Sequence, residues 1–416
     1  MQILLGDIVY AKDINHLVEI KDGYLVEENG SIQGVFESLP NQYKDAPITD
    51  YSGKLIIPAF SDLHVHAPQY AQRGIGMDLL LPDWLSQYTF PEEAKFSNPE
   101  YALLRYRAFL DDLLANGTFH GCIFATIHNE ASDILLEEMQ KRGMKGFVGK
   151  VNMDCNSPDF LCESTYSSLK DTETFLEKHQ NRKGVKPILT PRFAPTCTKE
   201  LLSGLGKLGK KYEVGVQTHI VESKWEAKEA LRRFPDCKSD MEIYERAGLL
   251  ENGPVIMAHF IFPTDEDKRI LKQYNGLAVH CPDATNNVIA GIMPTGVLLD
   301  EGMEIALGSD IGAGHGVAIY RQIARSVQLS KLKEFYEEKQ RAIRFENAFY
   351  LATKGSGSLF GKVGSLERGY ELDALVLDGL SDEGSELSPV KRLERFCYIG
   401  DDRNIIAGYI SGKKVI

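Results

Sequence analysis

The sequence contains no long apolar segment and no excess of basic residues. No hydrophobic run approaches the roughly 20 residues of a bilayer-spanning helix, so we expect no membrane segment. Lys and Arg total 47 against 59 Asp and Glu, a formal charge of −12, which argues against a surface for nucleic acid or anionic membranes. The amino terminus also lacks the basic region and layout of a secretory signal peptide.

The seven cysteines form no C-x-x-C pair, and their number is odd. We interpret them as reduced thiols, which predicts a cytoplasmic protein. A hydrophobic content of 43% and a charged content of 25% are typical of a soluble globular protein. A length of 416 residues accommodates one large barrel with an appended smaller unit.

Both ends of the chain consist of short alternating segments interrupted by Gly, Asn and Pro, a pattern typical of short β-strands. The predicted strands at the two ends are 23–26, 31–36, 48–51, 374–378, 395–399 and 407–415. We therefore expect residues 1–57 and 366–416 to form one small β-sandwich domain.

The middle of the chain alternates between strand and helix patterns. Asn98-Pro99-Glu100 is a typical helix start, with a capping residue, a proline and then an acid. The eight predicted strands are 56–65, 121–127, 146–153, 187–193, 215–221, 254–260, 277–280 and 305–308. This α/β pattern predicts a (β/α)8 TIM-type barrel over residues 58–365, with its chemistry at the carboxyl ends of the strands.

Two histidines at the end of the first barrel strand point to a metal site. His64 and His66 are two residues apart, so their side chains lie on the same side of a strand. His219 and Asp310 fall at other strand ends. Three imidazoles and a carboxylate suit zinc and leave a position for water, although Fe²⁺ would accept the same ligands.

Further polar residues stand near the same strand ends. Glu222 follows His219 closely and could exchange protons with a substrate, or could be an ordinary glutamate at a helix start. His259 is either a fourth imidazole ligand or a hydrogen-bond donor, and we favour the second role. Asp310 could take a proton from water besides binding metal, or could simply cap a helix. His280 is expected to pack at a strand end.

Three residues are suited to holding a flat polar ring. Gln69, just after the first strand, offers an amide with donors and an acceptor. Arg192 and Phe193 place a guanidinium beside an aromatic ring, which suits edge contacts and stacking with a heterocycle. His315 follows the Asp310 loop and is a weaker candidate for the same pocket.

At these residues the chain resembles the amidohydrolase superfamily and, within it, the guanine deaminases, over essentially its whole length. The most specific stretch is HVHAPQYAQRGIGMDLLLPDWLSQYTFPEE, which begins at His64. The segments 191–193, 219–222, 307–310 and 364–376 also match.

The resemblance implies one zinc ion held by His64, His66, His219 and Asp310. Superfamily members with two metals carry a bridging lysine at the end of the fourth strand. Residues 190–192 contain no lysine, which favours a single metal. A homodimer is implied by the family alone.

The resemblance also implies roles in the reaction. Gln69 and Arg192 would recognise guanine through polar contacts, and Phe193 would pack on the ring. Hydroxide would attack C2, Glu222 would protonate ring N3, and Asp310 would pass the water proton toward departing ammonia, leaving xanthine. His219 and His259 are also expected to contact the substrate.

The chain departs from the family pattern at Val221, at Phe262 and over residues 283–287. These departures leave two alternatives open. One is deamination of another aminated heterocycle, such as a pterin or a modified purine. The other is a metal-binding barrel without catalytic activity.

Overall fold

The computed structural model describes residues 1–381 and 386–416, so residues 382–385 of the predicted carboxyl-terminal segment lie outside the described residues. The strands, in chain order, are β1 (Gln2–Asp13), β2 (His16–Glu28), β3 (Ser31–Phe36), β4 (Ile48–Pro58), β5 (Phe60–His66), β6 (Thr118–Phe124), β7 (Lys145–Gly149), β8 (Val151–Asn152), β9 (Val185–Pro187), β10 (Thr190–Pro191), β11 (Val216–Ile220), β12 (Val255–His259), β13 (Leu277–His280), β14 (Glu304–Leu307), β15 (Ala374–Leu377), β16 (Ile405–Ile410) and β17 (Lys413–Lys414). The α-helices are α1 (Leu81–Trp84), α2 (Phe90–Ala94), α3 (Pro99–Ala115), α4 (Asn129–Lys141), α5 (Thr165–His179), α6 (Lys199–Tyr212), α7 (Lys224–Arg233), α8 (Asp240–Arg246), α9 (Asp265–Gln273), α10 (Pro282–Asn287), α11 (Thr295–Asp300), α12 (Ile319–Tyr336), α13 (Phe345–Tyr350) and α14 (Pro389–Ile399).

The two ends of the chain meet in a seven-stranded sheet with the order β17-β16-β15-β4-β1-β2-β3. Its buried face includes Leu4, Ile8, Ile56 and Val376. Because β1 pairs with β2 on one side and with β4 on the other, the strands belong to one hydrogen-bonded sheet. Both chain ends contribute strands to this one unit, as expected, and its form as a β-sandwich stays a prediction.

One predicted strand of this region, 395–399, is wrong, because these residues form the last part of helix α14. The Oγ atom of Ser388 accepts a hydrogen bond from the backbone N–H of Lys391 at 3.4 Å, and Pro389 occupies the first helical position. Leu393, Phe396 and Cys397 are buried. Their spacing of three and four residues forms one helical face.

The middle of the chain is a mixed α/β region with two parallel four-stranded sheets, in the orders β5-β6-β7-β9 and β11-β12-β13-β14. Backbone hydrogen bonds join the sheets on both sides. On one side Leu189 donates to the Gly215 carbonyl at 3.0 Å. On the other, Asp310 donates to the His64 carbonyl at 2.8 Å. Among the described residues, no helix combines the length and the apolarity needed to cross a membrane.

The predicted helix start at Asn98 is confirmed. Its Oδ1 atom accepts hydrogen bonds from the backbone N–H groups of Glu100 at 2.9 Å and Tyr101 at 3.3 Å. Helix α3 then buries Phe109 and Leu110. The cap and the buried face act together to place this helix against the parallel strands.

A buried polar chain connects the seven-stranded sheet to the parallel strands. His120 on β6 has its Nδ1 atom 3.1 Å from the Ser61 hydroxyl and its Nε2 atom 2.8 Å from the Asp373 carboxylate. The other oxygen of Asp373 accepts from the Ser411 N–H at 2.6 Å. All three side chains of the Ser61–His120–Asp373 chain are at most 1% exposed, so this arrangement is a structural connection between the two regions.

Candidate active site

The structure brings together the four residues predicted as metal ligands. His64 and His66 lie on β5, His219 on β11, and Asp310 just after β14. The Nε2 atoms of His66 and His219 are 3.0 Å apart. Oδ1 of Asp310 lies 3.3 Å from Nε2 of His64 and 3.6 Å from Nε2 of His66. All four ligand atoms lie within 4.8 Å of one another.

The histidines of this cluster are held in the form that binds metals. The Nδ1 atom of His219 donates to the Arg192 carbonyl at 2.6 Å, so the Nε2 atom of the neutral ring carries a free lone pair. Burial, and then the charges of neighbouring histidines, hold the pKa values of His66 and His219 well below their usual value. The Nε2 atom of His64 is buried without a hydrogen-bond partner among the described residues. A divalent cation would satisfy these nitrogen atoms.

Asp62 fixes the ends of β5 and β14 relative to each other. Its Oδ1 atom accepts from the backbone N–H groups of Ser309 at 3.0 Å and His64 at 3.2 Å. Its Oδ2 atom accepts from the Ser309 hydroxyl. Burial raises the pKa of Asp62 to about 7, although these hydrogen bonds oppose the rise. A Cβ at Gly308 would lie 3.0 Å from His64 Cβ, so the close approach of the two strand ends favours glycine there.

Glu222 and His259 stand beside the cluster. The Nε2 atom of His259 lies 3.8 Å from both Oε1 of Glu222 and Oδ2 of Asp310. Burial and then the Asp310 charge raise the pKa of Glu222 to about 8, while Arg192 opposes this rise. Burial lowers the pKa of His259 to about 3. A protonated Glu222 and a neutral His259 are therefore the forms that this environment favours at neutral pH.

Several strand-end residues of the site have left-handed backbones. The φ angles are 43° at Val221, 77° at His259 and 48° at Asp310. Residues other than glycine rarely adopt these positive φ angles, and β-branched residues such as Val221 adopt them least often. Such conformations cluster at functional sites, where the surrounding structure enforces them. Here they turn the chain sharply at the points where catalytic candidates leave the strands.

Three of the four cluster residues, His66, His219 and Asp310, line a pocket of about 420 Å³, a volume that includes the space at its open mouth. The three residues predicted to hold a flat ring, Gln69, Arg192 and Phe193, all line this pocket. Four further lining residues were missed from the sequence: Leu81, Trp84, Leu85 and Ala313. Most come from the segment 67–97, which folds into short helical turns over the strand ends. Its apolar residues supply a wall against which a planar ring can pack.

A fifth missed residue, Glu93 on α2, does not line the pocket but contacts two side chains that do. Its Oε1 atom accepts from Gln69 Nε2 at 2.8 Å, and its Oε2 atom accepts from Arg192 Nη1 at 2.7 Å. In the sequence, Glu93 is only the last residue of the stretch that begins at His64, and nothing there indicates its partners. Its contact with Arg192 spans 99 residues of sequence, a separation that no local pattern reveals.

Other candidates lie outside the pocket lining. His280 is buried on β13, where burial lowers its pKa to about 3. The His315 side chain is 47% exposed and lies 3.7 Å from Asp283. Asp283 is held by Gln322 at 2.8 Å and by Arg325 at 2.9 Å. Neither Phe262 nor Asp283 is among the described residues that line the pocket.

Comparison with known proteins assigns the family. The profile described as "Amidohydrolase family" matches residues 55–415. The chain belongs to the amidohydrolase family. The predicted resemblance is thereby confirmed.

Relatives of this amidohydrolase are guanine deaminases. The guanine deaminase of Dictyostelium discoideum is 34% identical, with 100% of this chain and 98% of the relative covered. Among solved structures, guanine deaminase from C. acetobutylicum with guanine bound in its active site is 42% identical, with a TM-score of 0.96 and full coverage of both chains. An adenosine deaminase from Xanthomonas campestris with bound zinc is 20% identical, with a TM-score of 0.85, and covers 99% of this chain and 92% of its own. This last likeness shows a shared fold.

Proposed function

We propose that this amidohydrolase catalyses the hydrolytic deamination of guanine to xanthine and ammonia. The observation that carries the proposal is the full-length likeness, at 42% identity and a TM-score of 0.96, to a guanine deaminase with guanine in its active site. A pocket lined by residues of the candidate metal cluster and by Gln69, Arg192 and Phe193 supports the same function. The chain is an enzyme of the guanine deaminase type rather than an inactive binding barrel.

Within this proposal, His64, His66, His219 and Asp310 would hold one zinc ion, and Fe²⁺ is the alternative. Zinc bonds of 2.0–2.1 Å in a tetrahedron place the ligand atoms about 3.3 Å apart. The separations of 3.0, 3.3 and 3.6 Å in the cluster fit this spacing. When bound, the metal supplies Lewis acidity that makes a nucleophile of water at neutral pH.

The residues of the chain bind the ring and move protons. Gln69 and Arg192 donate hydrogen bonds to the polar edge of guanine, and Phe193 packs on its face. Asp310 accepts one proton from water while the water oxygen bonds to C2 and a protonated Glu222 donates its proton to ring N3. Asp310 then gives its proton to the amino group, so that the C2–N bond breaks and ammonia leaves. The proton that remains on the C2 oxygen returns to Glu222, which leaves the C2 carbonyl of xanthine. His259, whose Nε2 atom lies 3.8 Å from both carboxyl groups, donates a hydrogen bond to the bound substrate or hydroxide.

We propose the following domain organisation for the chain. The two parallel sheets close into an eight-stranded (β/α)8 barrel within residues 58–365, with residues 1–57 and 366–416 as the small second domain. The backbone hydrogen bonds on both sides of the sheets support closure. A cytoplasmic homodimer stays a prediction, which fractionation of the source cells and light scattering of the purified protein would test.

The deciding experiment is ammonia release from guanine by zinc-loaded protein, with pterin and adenine as competing substrates. We expect kcat/KM to be highest for guanine, with xanthine formed in equal amount to ammonia. Faster turnover of pterin would replace the proposal with the other heterocycle deaminase. Absence of turnover with all three, from protein that contains zinc, would favour the inactive barrel.

A further inference from the structure

The carboxylate of Glu93 connects the two polar side chains that line the pocket from different parts of the chain. It accepts from Gln69 Nε2 at 2.8 Å through one oxygen and from Arg192 Nη1 at 2.7 Å through the other. The exposed fractions of Gln69, Glu93 and Arg192 are 2%, 3% and 4%. A charge-assisted hydrogen bond between side chains this deeply buried is strong. Removing one partner leaves the other charge or dipole buried and unpaired.

These contacts also fix which way the Gln69 amide points. Its Oε1 atom accepts from the backbone N–H of Gly312 at 2.9 Å. With a peptide N–H at one end and a carboxylate at the other, only one orientation of the amide satisfies both partners. The Nε2 atom of Gln69 keeps one further N–H for the pocket, while its Oε1 atom keeps a second lone pair.

Helix α2 contacts Arg192 at a second point. The guanidinium carbon lies 5.4 Å from the centre of the Phe90 ring. Phe90 and Glu93 are three residues apart on α2, a spacing that places both on one helical face. The aromatic ring and the carboxylate together restrain the plane of the guanidinium, whose remaining N–H groups are available to a ligand.

We propose that Glu93 is a positioning residue that sets the geometry of guanine recognition through Gln69 and Arg192. The proposal rests on the proposed function, because it assigns those two side chains to the base. Glu93 is absent from the described residues that line the pocket, so it acts through its two partners rather than on the substrate. A carboxylate is the side chain that presents two acceptors and no donor to two donors.

The test is Glu93→Gln. This substitution keeps the shape of the side chain but places an amide NH2 group, itself a donor, against one of the two donors, Gln69 or Arg192. We expect kcat/KM for guanine to fall about 10- to 100-fold, mainly through KM, and the affinity for xanthine in calorimetry to fall with it. Metal content stays at the wild-type value, whereas the thermal midpoint falls because the buried Arg192 charge loses its ionic partner. Glu92→Gln is the matched control, because Glu92 pairs instead with Lys95 and Tyr101, and it should retain activity within about twofold.

A second background separates positioning from general loss of structure. In Gln69→Ala protein the new amide at position 93 can turn its oxygen to Arg192 without facing a second donor. The loss caused by E93Q should therefore be at least about fivefold smaller there than in the wild type. An equal loss in both backgrounds overturns the proposal, as does wild-type kcat/KM in E93Q. If E93Q does not fold, Glu93→Asp, which is too short to reach both donors, replaces it with the same expectation.

The same measurements distinguish failure of the proposed function from failure of the positioning role. A wild-type protein that binds guanine without releasing ammonia refutes the function, while weaker guanine binding by E93Q would still support Glu93. Wild-type turnover that E93Q leaves unchanged refutes the role of Glu93 alone. A wild-type protein that binds neither guanine nor xanthine overturns both.

Discussion

The Nδ1 atom of His219 lies 2.6 Å from the carbonyl oxygen of Arg192. Arg192 thus orients a candidate metal ligand through its backbone and lines the pocket through its side chain. The Thr218 hydroxyl donates to the same carbonyl at 3.3 Å, which strengthens the backbone part of this link. Substitution of the Arg192 side chain should therefore separate substrate recognition from metal binding.

We expect Arg192→Gln to lower kcat/KM for guanine by about 10- to 100-fold, the loss expected for a hydrogen bond from a charged group. Metal content should equal that of the wild type, because the carbonyl that orients His219 remains. Steady-state kinetics and metal analysis of the same samples check both parts. Arg182→Gln, which removes a surface contact with Gln140, should change kcat/KM by less than about twofold. Parallel loss of metal and activity in R192Q would contradict the separation.

Removal of the metal should abolish ammonia release and lower the thermal midpoint. Four ligand groups, His64, His66, His219 and Asp310, would then face one another without a cation in a buried site. Metal binding to the folded state contributes about 3 kcal/mol when free metal exceeds Kd a hundredfold. Dialysis against a chelator, followed by return of Zn²⁺, should remove and then restore activity and midpoint together. Dialysis without chelator is the control, and full activity in metal-free protein would refute a metal-dependent reaction.

The parts of the site that could be predicted from the sequence are those set by local geometry. His64 and His66 share a face because a strand alternates its side chains every residue. The predicted strand 277–280 coincides with β13, and the cap at Asn98 begins α3 as expected. In each case the residues that carry the signal are neighbours in the sequence.

The parts that could not be predicted depend on distant contacts or on competing patterns. The role of Glu93 could not be predicted, because it depends on contacts with Gln69, 24 residues away, and with Arg192, which form only once α2 is in place. His120 meets Asp373 across 253 residues. The segment 395–399 is rich in residues that suit strands, and the helix start at Ser388-Pro389 lies outside that window.

Glu222→Gln tests the proton transfer directly. The substitution keeps size and hydrogen bonding but removes the exchangeable proton, so kcat should fall about 10²- to 10⁴-fold. Xanthine affinity should change little, because the backbone N–H of Glu222 still donates to Glu226 at 2.7 Å and holds the turn. Glu229→Gln on the following helix α7, where Glu229 pairs with Arg232, is the control. A kcat above a tenth of the wild-type value would exclude Glu222 as the proton carrier.

Asp373→Asn should destabilise the connection between the seven-stranded sheet and the parallel strands. Burial opposes ionisation of Asp373, but the hydrogen bond and charge of His120 and the N–H of Ser411 lower its pKa overall. The substitution should lower the free energy of unfolding by about 1–3 kcal/mol at pH 7. Asp378→Asn breaks a contact with Lys54 whose side chains are 40% and 35% exposed, and should cost less than about 1 kcal/mol.

The pH dependence of the Asp373→Asn effect identifies its cause. Because the folded pKa of Asp373 lies below the unfolded value of about 3.9, its carboxylate stabilises the fold above that value. This contribution is lost as the pH falls below about 4 and through the folded pKa. Urea unfolding at pH 7, pH 5 and pH 3.5 should therefore show an equal difference between wild type and variant at the first two and a smaller one at the third. A difference that persists unchanged at pH 3.5 would assign the effect to packing around His120 rather than to the charge of Asp373.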